Sequence, residues 1–169
     1  MTAWTVDQDC GVATLTLTSP PRNFLTFAIL LELDEQLARI GAHPDVRVVM
    51  LASGVPGYFA AHADLDEVAS LHSVAPPDAR AWYVALRRME SIPQPVIAVV
   101  DGQAWGGGFE LALASTLRWV TDRASFALPE IRLGLLPGAG GVPRLTRLIG
   151  AARTAALALT GDELNAKAA

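Results

Sequence analysis

The chain has 169 residues, enough for one domain with a sizeable core, and 51% of them are hydrophobic. A formal net charge of -4 argues against a general nucleic-acid binder, and the single cysteine, Cys10, rules out intramolecular disulfides and makes the cytoplasm the expected compartment. No apolar run reaches the roughly 18 residues of a membrane span, and MTAWTVDQDC has neither the basic nor the apolar region of a secretory signal.

In chain order, residues 4–7 and 12–17 read as strands around a turn at Asp9, Cys10 and Gly11. Ser19 to Asn23 breaks the pattern. Thr26 is an expected N-cap, and Leu30, Leu33, Leu37 and Ile40 then mark one helical face that Gly41 closes. Residues 46–51 form a continuous apolar strand, and 54–64 read as loop. Asp78 is placed to cap a helix in which Trp82, Leu86 and Met89 share a face; Pro93 and Pro95 end it. A strand over 96–100 leads to Gly106, Gly107 and Gly108 and a helix over 106–115. Short strands follow at 117–121 and 125–127, then a helix opened by Gly138 to Gly141 and a last one over 151–160. Strands and helices in repeated alternation imply an α/β fold with helices packed on sheets.

Several chemistries drop out. The glycines fit neither G-x-G-x-x-G nor the phosphate-loop pattern with its lysine. His43, His62 and His72 do not pair at metal-ligand spacing, and no serine sits in G-x-S-x-G. All but one of the basic residues are arginines, Lys167 being the exception; a few could grip phosphates.

What remains is a glycine turn and two carboxylates in apolar settings, Glu110 in GGGFELALA and Glu130 in LPEIRLGLLP. A strand feeding three glycines and a helix leaves free N–H groups at the helix N-terminus, open to close approach by a ligand oxygen that gains negative charge. In the first turn of that helix Glu110 is expected to be ionised and to act as a base. Glu130, between Pro129 and Ile131, is expected to be held protonated by desolvation and to act as an acid. Such a pair could add water across a double bond conjugated to a carbonyl. Spacing alone equally allows Glu110 as a helix cap and Glu130 in a surface ion pair.

Over nearly its whole length the chain resembles the enoyl-CoA hydratase/isomerase (crotonase) family. The segments that carry the resemblance are LTLTSPPRNFL (15–25), YFAAHADL (58–65), PVIAVVDGQAWGGGFELALA (95–114), FALPEIRLGLLP (126–137) and GAGGVPRLTRLIG (138–150), with LALTGDELNAKAA at the end. The resemblance implies a single crotonase-like core domain over residues 1–169, a spiral of ββα units assembled as homotrimers or pairs of trimers. It implies acyl-CoA thioester substrates, with coenzyme A part of the substrate, and no metal or redox cofactor. It also implies that the chain ends inside the segment leading to the family's C-terminal helices. Those helices close the acyl pocket and build subunit contacts, so the resemblance implies an apolar face left uncovered on the last helix, at Ala155, Leu157 and Leu159.

Residue by residue, the resemblance makes Gly107 and Ala63 the oxyanion-hole donors and Glu110 and Glu130 the catalytic glutamates. The first glutamate orients and deprotonates water; the second delivers a proton to C2. The loop holding Ala61, Ala63, Asp64, Leu65 and Asp66 matches the segment that cradles coenzyme A, and Arg22 stands where a basic residue approaches its phosphates. The implied activity is enoyl-CoA hydration. A double-bond isomerase, which can work with one carboxylate, and a non-catalytic acyl-CoA binder are the alternatives. Two departures stand out. His62 replaces the family's usual glycine, and Phe24 replaces a smaller residue. If position 62 requires a positive φ, His62 strains the loop and displaces the Ala63 N–H.

Overall fold

A computed structural model describes residues 2–71 and 80–169. The expected cap at Asp78, and His72, lie outside the described residues.

Strands β1 (Trp4–Asp9) and β2 (Val12–Leu17) form an antiparallel hairpin through Cys10 and Gly11, both at positive φ. Alternation in β2 buries Ala13, Leu15 and Leu17 completely or nearly so. Helix α1 (Phe27–Gly41) begins where the Thr26 hydroxyl accepts from Ile29 N–H, and it buries the expected Leu30, Leu33, Leu37 and Ile40. Each such leucine contributes about 1.5–3 kcal/mol when fully buried.

Strand β3 (Val48–Ser53) runs parallel to β2, and β5 (Val96–Val100) parallel to β3. With β7 (Leu117–Val120) they complete a five-stranded sheet in the order β1-β2-β3-β5-β7. The strand expected over 46–51 therefore starts two residues later. The stretch 54–64, expected to be loop, contains β4 (Gly57–Ala60). Strand β6 (Gly102–Trp105) was likewise not anticipated. These two short strands, with β8 (Ser125–Ala127) and β9 (Leu164–Asn165), build a second, four-stranded sheet in the order β4-β6-β8-β9. Gly102 permits the first pairing: a Cβ there would collide with the backbone of Gly57.

The helices fill the space between and around the sheets. α2 (Leu65–Ser70) is short and capped by Asp64, whose side chain accepts from the N–H groups of Asp66 and Glu67. α3 (Ala81–Ser91) buries Ala81, Ala85, Leu86 and Met89 and packs on α1, to which an Arg88–Asp34 ion pair of 2.8 Å ties it. α4 (Gly107–Ala114) is buried at every position, as an apolar helix between sheet and helices must be. α5 (Gly141–Ile149) and α6 (Ala151–Thr160) follow a 3-10 turn over Pro129–Leu133. On α6 only Thr154 is buried; of the three residues foreseen there, Ala155 and Leu159 are exposed, while Leu157 is half-buried against the chain's own core. None of the described helices is long and apolar enough to cross a membrane.

Candidate active site

The site assembles where the first residues of α4 meet the loop after β4 and the 3-10 turn. Gly106 caps α4 at φ +49, and Gly108 lets the helix touch β4: a Cβ at Gly108 would strike the carbonyl of Ala60. A Cβ at Gly106 would stand 3.1 Å from Glu130 Oε1 and 3.7 Å from His62 Cβ. One bare glycine thus brings together the loop before Ala63, the turn of α4 and the second glutamate.

The two expected donors are unclaimed. Gly107 is the first residue of α4, where a helix leaves its N–H without an internal partner. No acceptor among the described residues takes the N–H of Gly107 or of Ala63. Ala63 is aimed by its neighbour: the His62 carbonyl accepts from Leu25 N–H at 2.9 Å, and in a planar trans peptide the Ala63 N–H then points away from Leu25. The Asp64 N–H, bonded to Leu25 O at 2.8 Å, holds the other side of Ala63.

His62 does not strain this loop. The only non-glycine residues at positive φ among those described are Cys10 and Asn23. The worry about position 62 is therefore corrected: its backbone is ordinary, and the left-handed residue lies at Asn23, a type that tolerates that conformation. The His62 ring packs against Phe24, centroids 4.7 Å apart, and its Nδ1 lies 2.6 Å from Ala63 O. A carbonyl only accepts, so Nδ1 carries the proton in that bond.

Glu110 is 3% exposed. Its carboxylate does not cap its own helix; Oε1 accepts from Ala139 N–H at 2.9 Å and from Gly141 N–H at 2.7 Å, at the start of α5. Gly141 must be glycine for this approach, since a Cβ would sit 2.9 Å from Glu110 Cγ. Arg144 steadies the donor loop, giving Nη1–H to Ala139 O at 2.7 Å while pairing with Glu90 at 2.8 Å. Sequence reasoning missed these donors, although the Gly138–Gly141 run opening a helix was their signal.

The protonation expected for Glu110 is corrected. Burial pushes its carboxyl up to about 7, against the lowering effect of the Gly141 and Ala139 N–H groups, and the negative charge of Glu130 adds to the rise. Burial also raises Glu130, as anticipated. Glu110 feels the charge of Glu130, so the two carboxyls titrate as an interacting pair. Glu130 Oε2 is buried with no hydrogen-bond partner among the described residues, an open valence beside the glycine turn.

The remaining candidates are spread along the approach to this site. Ala61 is fully buried and gives its N–H to Arg22 O at 3.1 Å, so it supports the loop from within. Asp64, half-buried, caps α2, and Leu65 and Asp66 are its exposed first residues. Arg22 is exposed, its guanidinium 5.7 Å from the centre of the Tyr58 ring.

The two-sheet α/β fold is that of the crotonase class, and solved structures of that class superpose on it. One is an enoyl-CoA hydratase from Bacillus anthracis, 36% identical, with a TM-score of 0.87 over 98% of this chain and 65% of that one. The family model for enoyl-CoA hydratase/isomerase matches residues 7–169, and the chain belongs to that family. A probable enoyl-CoA hydratase of Bacillus subtilis (strain 168) is 36% identical over 100% of this chain and 66% of its own length. The fatty acid oxidation complex subunit alpha of Idiomarina loihiensis is 37% identical over 96% of this chain and 24% of its own. The chain therefore spans from about a quarter to about two thirds of the length of these curated relatives.

Proposed function

We propose that the chain carries an enoyl-CoA hydratase activity, adding water across the 2,3 double bond of an enoyl-CoA thioester to give 3-hydroxyacyl-CoA. The observation that carries this reading is the buried Glu110 and the half-buried Glu130, whose Oε2 has no partner among the described residues, beside the unclaimed N–H groups of Gly107 and Ala63. Glu110, anchored through one oxygen, takes a proton from water as the water oxygen bonds to C3. The thioester oxygen gains charge and is held by the Gly107 and Ala63 N–H groups. Glu130 gives its proton to C2, and the elements of water have been added with nothing oxidised or reduced. The pair must hold one proton in total. With that proton on Glu130 it hydrates; with it on Glu110 it serves the reverse elimination.

No cofactor enters this scheme, and coenzyme A arrives with the substrate. Exposed Leu136, Leu159, Trp119, Leu133 and Leu148 support assembly into a homotrimer or pair of trimers, and the cytoplasm is the proposed compartment. The test is loss of the enoyl-thioester absorbance of crotonyl-CoA, with the product identified by mass. A product 18 mass units heavier, the mass of one water, supports hydration. A product of unchanged mass from a 3-enoyl thioester would assign an isomerase, and binding without turnover a non-catalytic acyl-CoA binder.

A further inference from the structure

We infer that His62, with Phe24 behind its ring, is a positioning residue that fixes the direction of the Ala63 N–H as an oxyanion donor; the inference rests on the acyl-CoA reading above. Two peptide planes meet at Ala63, and they carry four polar groups. The His62 carbonyl accepts from Leu25 N–H at 2.9 Å, and the Asp64 N–H donates to Leu25 O at 2.8 Å. The Ala63 carbonyl lies 2.6 Å from His62 Nδ1, which donates to it. Only the Ala63 N–H has no partner among the described residues, and it is the group the thioester oxygen would take.

The two bonds to Leu25 leave one freedom. A peptide plane held only at its N–H still tips about that bond, and tipping the 63–64 plane turns the φ and ψ of Ala63 that join it to the 62–63 plane. The imidazole holds the carbonyl end of the 63–64 plane, so both planes are fixed and the unbonded N–H keeps its aim. A donor fixed before substrate arrives needs no reorganisation as charge develops on the oxygen. The ring itself is supported by Phe24, centroids 4.7 Å apart at a tilt of 40°, within the range of aromatic contact. Phe24 directly precedes Leu25, so two consecutive residues grip the loop, one by its ring and one by its backbone. In the sequence His62 and Phe24 are separate departures from the glycine and the smaller residue of the family pattern. In the fold they are one contact. A glycine at position 62 leaves the Ala63 carbonyl without this donor, and a small residue at position 24 leaves the imidazole without its wall. No step of the proposed hydration passes through the imidazole, so its effect reaches the reaction through Ala63.

The experiment reads the thioester carbonyl directly. Butyryl-CoA carrying carbon-13 at that carbonyl is bound at saturation to the wild type, His62→Ala, His62→Asn and Phe24→Leu, and its stretching band is followed by infrared difference spectroscopy. The saturated thioester is not hydrated, so the band is independent of turnover. The wild type should show a narrow band at lower frequency than free butyryl-CoA, because donors on the oxygen weaken the C=O bond. In His62→Ala the downshift should shrink and the band broaden. Its kcat for crotonyl-CoA should fall by about tenfold to a hundredfold, less than for loss of a whole donor, with KM changed less than kcat. The His62→Asn amide nitrogen reaches the same carbonyl and should restore most of the downshift and of kcat. Phe24→Leu leaves the imidazole in place and should fall between, which keeps the test decisive if His62→Ala does not fold. A wild-type band and kcat in His62→Ala, or a His62→Asn as impaired as His62→Ala, would overturn the role of His62 and leave the hydratase reading intact. A wild type that binds butyryl-CoA without a downshift, or does not bind it, would overturn both. Failure of the wild type to hydrate crotonyl-CoA, with the expected bands, would overturn only the hydratase reading.

Discussion

Asn23 and the Glu110–Glu130 pair are both polar groups in an apolar interior, and they are satisfied very differently. Asn23 is fully buried; its Oδ1 accepts from Ser19 N–H at 2.7 Å, and its Nδ2 donates to Leu17 O, Ser53 Oγ and Phe59 O. Those partners belong to the end of β2, the end of β3 and β4, so one amide ties the first sheet to the second and fixes the loop that carries Ala63. At the glutamates, by contrast, Oε1 of Glu110 is doubly bonded, Oε2 of Glu130 has no partner, and both carboxyls are shifted by burial. A filled polar cluster specifies a fold; an open one costs stability and leaves bonding capacity for a ligand. Gln94 Oε1 is also buried without a partner among the described residues, but its amide nitrogen Nε2 donates to the carbonyls of Ile40 and Val46, away from the glycine turn.

The largest expected effect lies on the open side. Replacing Glu110 or Glu130 with Gln keeps shape and removes the proton carrier. Turnover of crotonyl-CoA should fall by about two to four orders of magnitude in either variant, the usual scale for general acid/base groups. Near-normal hydration by both single variants would remove the acid/base assignment.

The filled side should respond in stability instead. Asn23→Ala leaves the Ser19 N–H without its partner, takes a donor from Leu17 O, Ser53 Oγ and Phe59 O, and puts a β-carbon at φ +54 without a side chain to stabilise it. A loss of about 3–5 kcal/mol in denaturant unfolding is expected, since each orphaned buried group costs about 1–3 kcal/mol. Asn23→Gly, which relieves the backbone but not the hydrogen bonds, should recover only a minor part. If Asn23→Ala unfolded like the wild type, the cluster would not be the tie between sheets that its contacts describe.

How far the sequence foretold these two regions follows from the range of the forces involved. Helix α1 was legible because Thr26 and the leucines at helical spacing act locally. Both glutamates and the glycine turn stood out because charge in an apolar segment and three consecutive glycines are visible in one dimension. Strands β4 and β6 were not legible: each is only four residues long, and pairing across the fold, with glycine at Gly102 for close approach, makes them strands. The partners of Glu110 lie 29 and 31 residues away. So the sequence marked the carboxylate but not that α5, rather than its own helix, receives it. The same distance hid the burial that raises the Glu110 carboxyl.

That rise has a pH signature. Glu110 is ordinary in the unfolded chain and is raised to about 7 in the folded one, so the native state holds the proton more tightly. Its neutral form is accommodated below the unfolded value, and stability declines as pH rises through the folded value. The full penalty, about 3 kcal/mol, is present above roughly pH 8. Glu110→Gln should therefore be more stable than the wild type by about that amount at pH 8, with the difference vanishing near pH 4, while losing its chemistry. Activity should fall on the alkaline side as the shared proton leaves, with an apparent pKa about 7 in kcat/KM. In Glu130→Gln the remaining group should titrate lower, because the charge that raised it is gone. Equal stability of wild type and Glu110→Gln from pH 4 to 8 would show that the carboxylate is better solvated than its burial implies.

The smallest expected effect is at Arg22, and it concerns only the approach to the site. Its side chain is exposed and stands over Tyr58, on the segment whose carbonyl receives the Ala61 N–H. A contact with a coenzyme A phosphate there would be made in water, where a charge pair contributes about 1 kcal/mol or less and salt screens it within roughly 10 Å. Arg22→Ala should raise KM for crotonyl-CoA by about twofold to fivefold at low salt and leave kcat alone, because no step of the proposed hydration passes through it. At high salt the difference should fade, since the wild type loses the same attraction. A salt-independent rise in KM would point instead to loss of the packing against Tyr58. A fall in kcat would mean that the loop from Arg22 to Ala63 is held in place from its exposed end as well as by the buried Asn23.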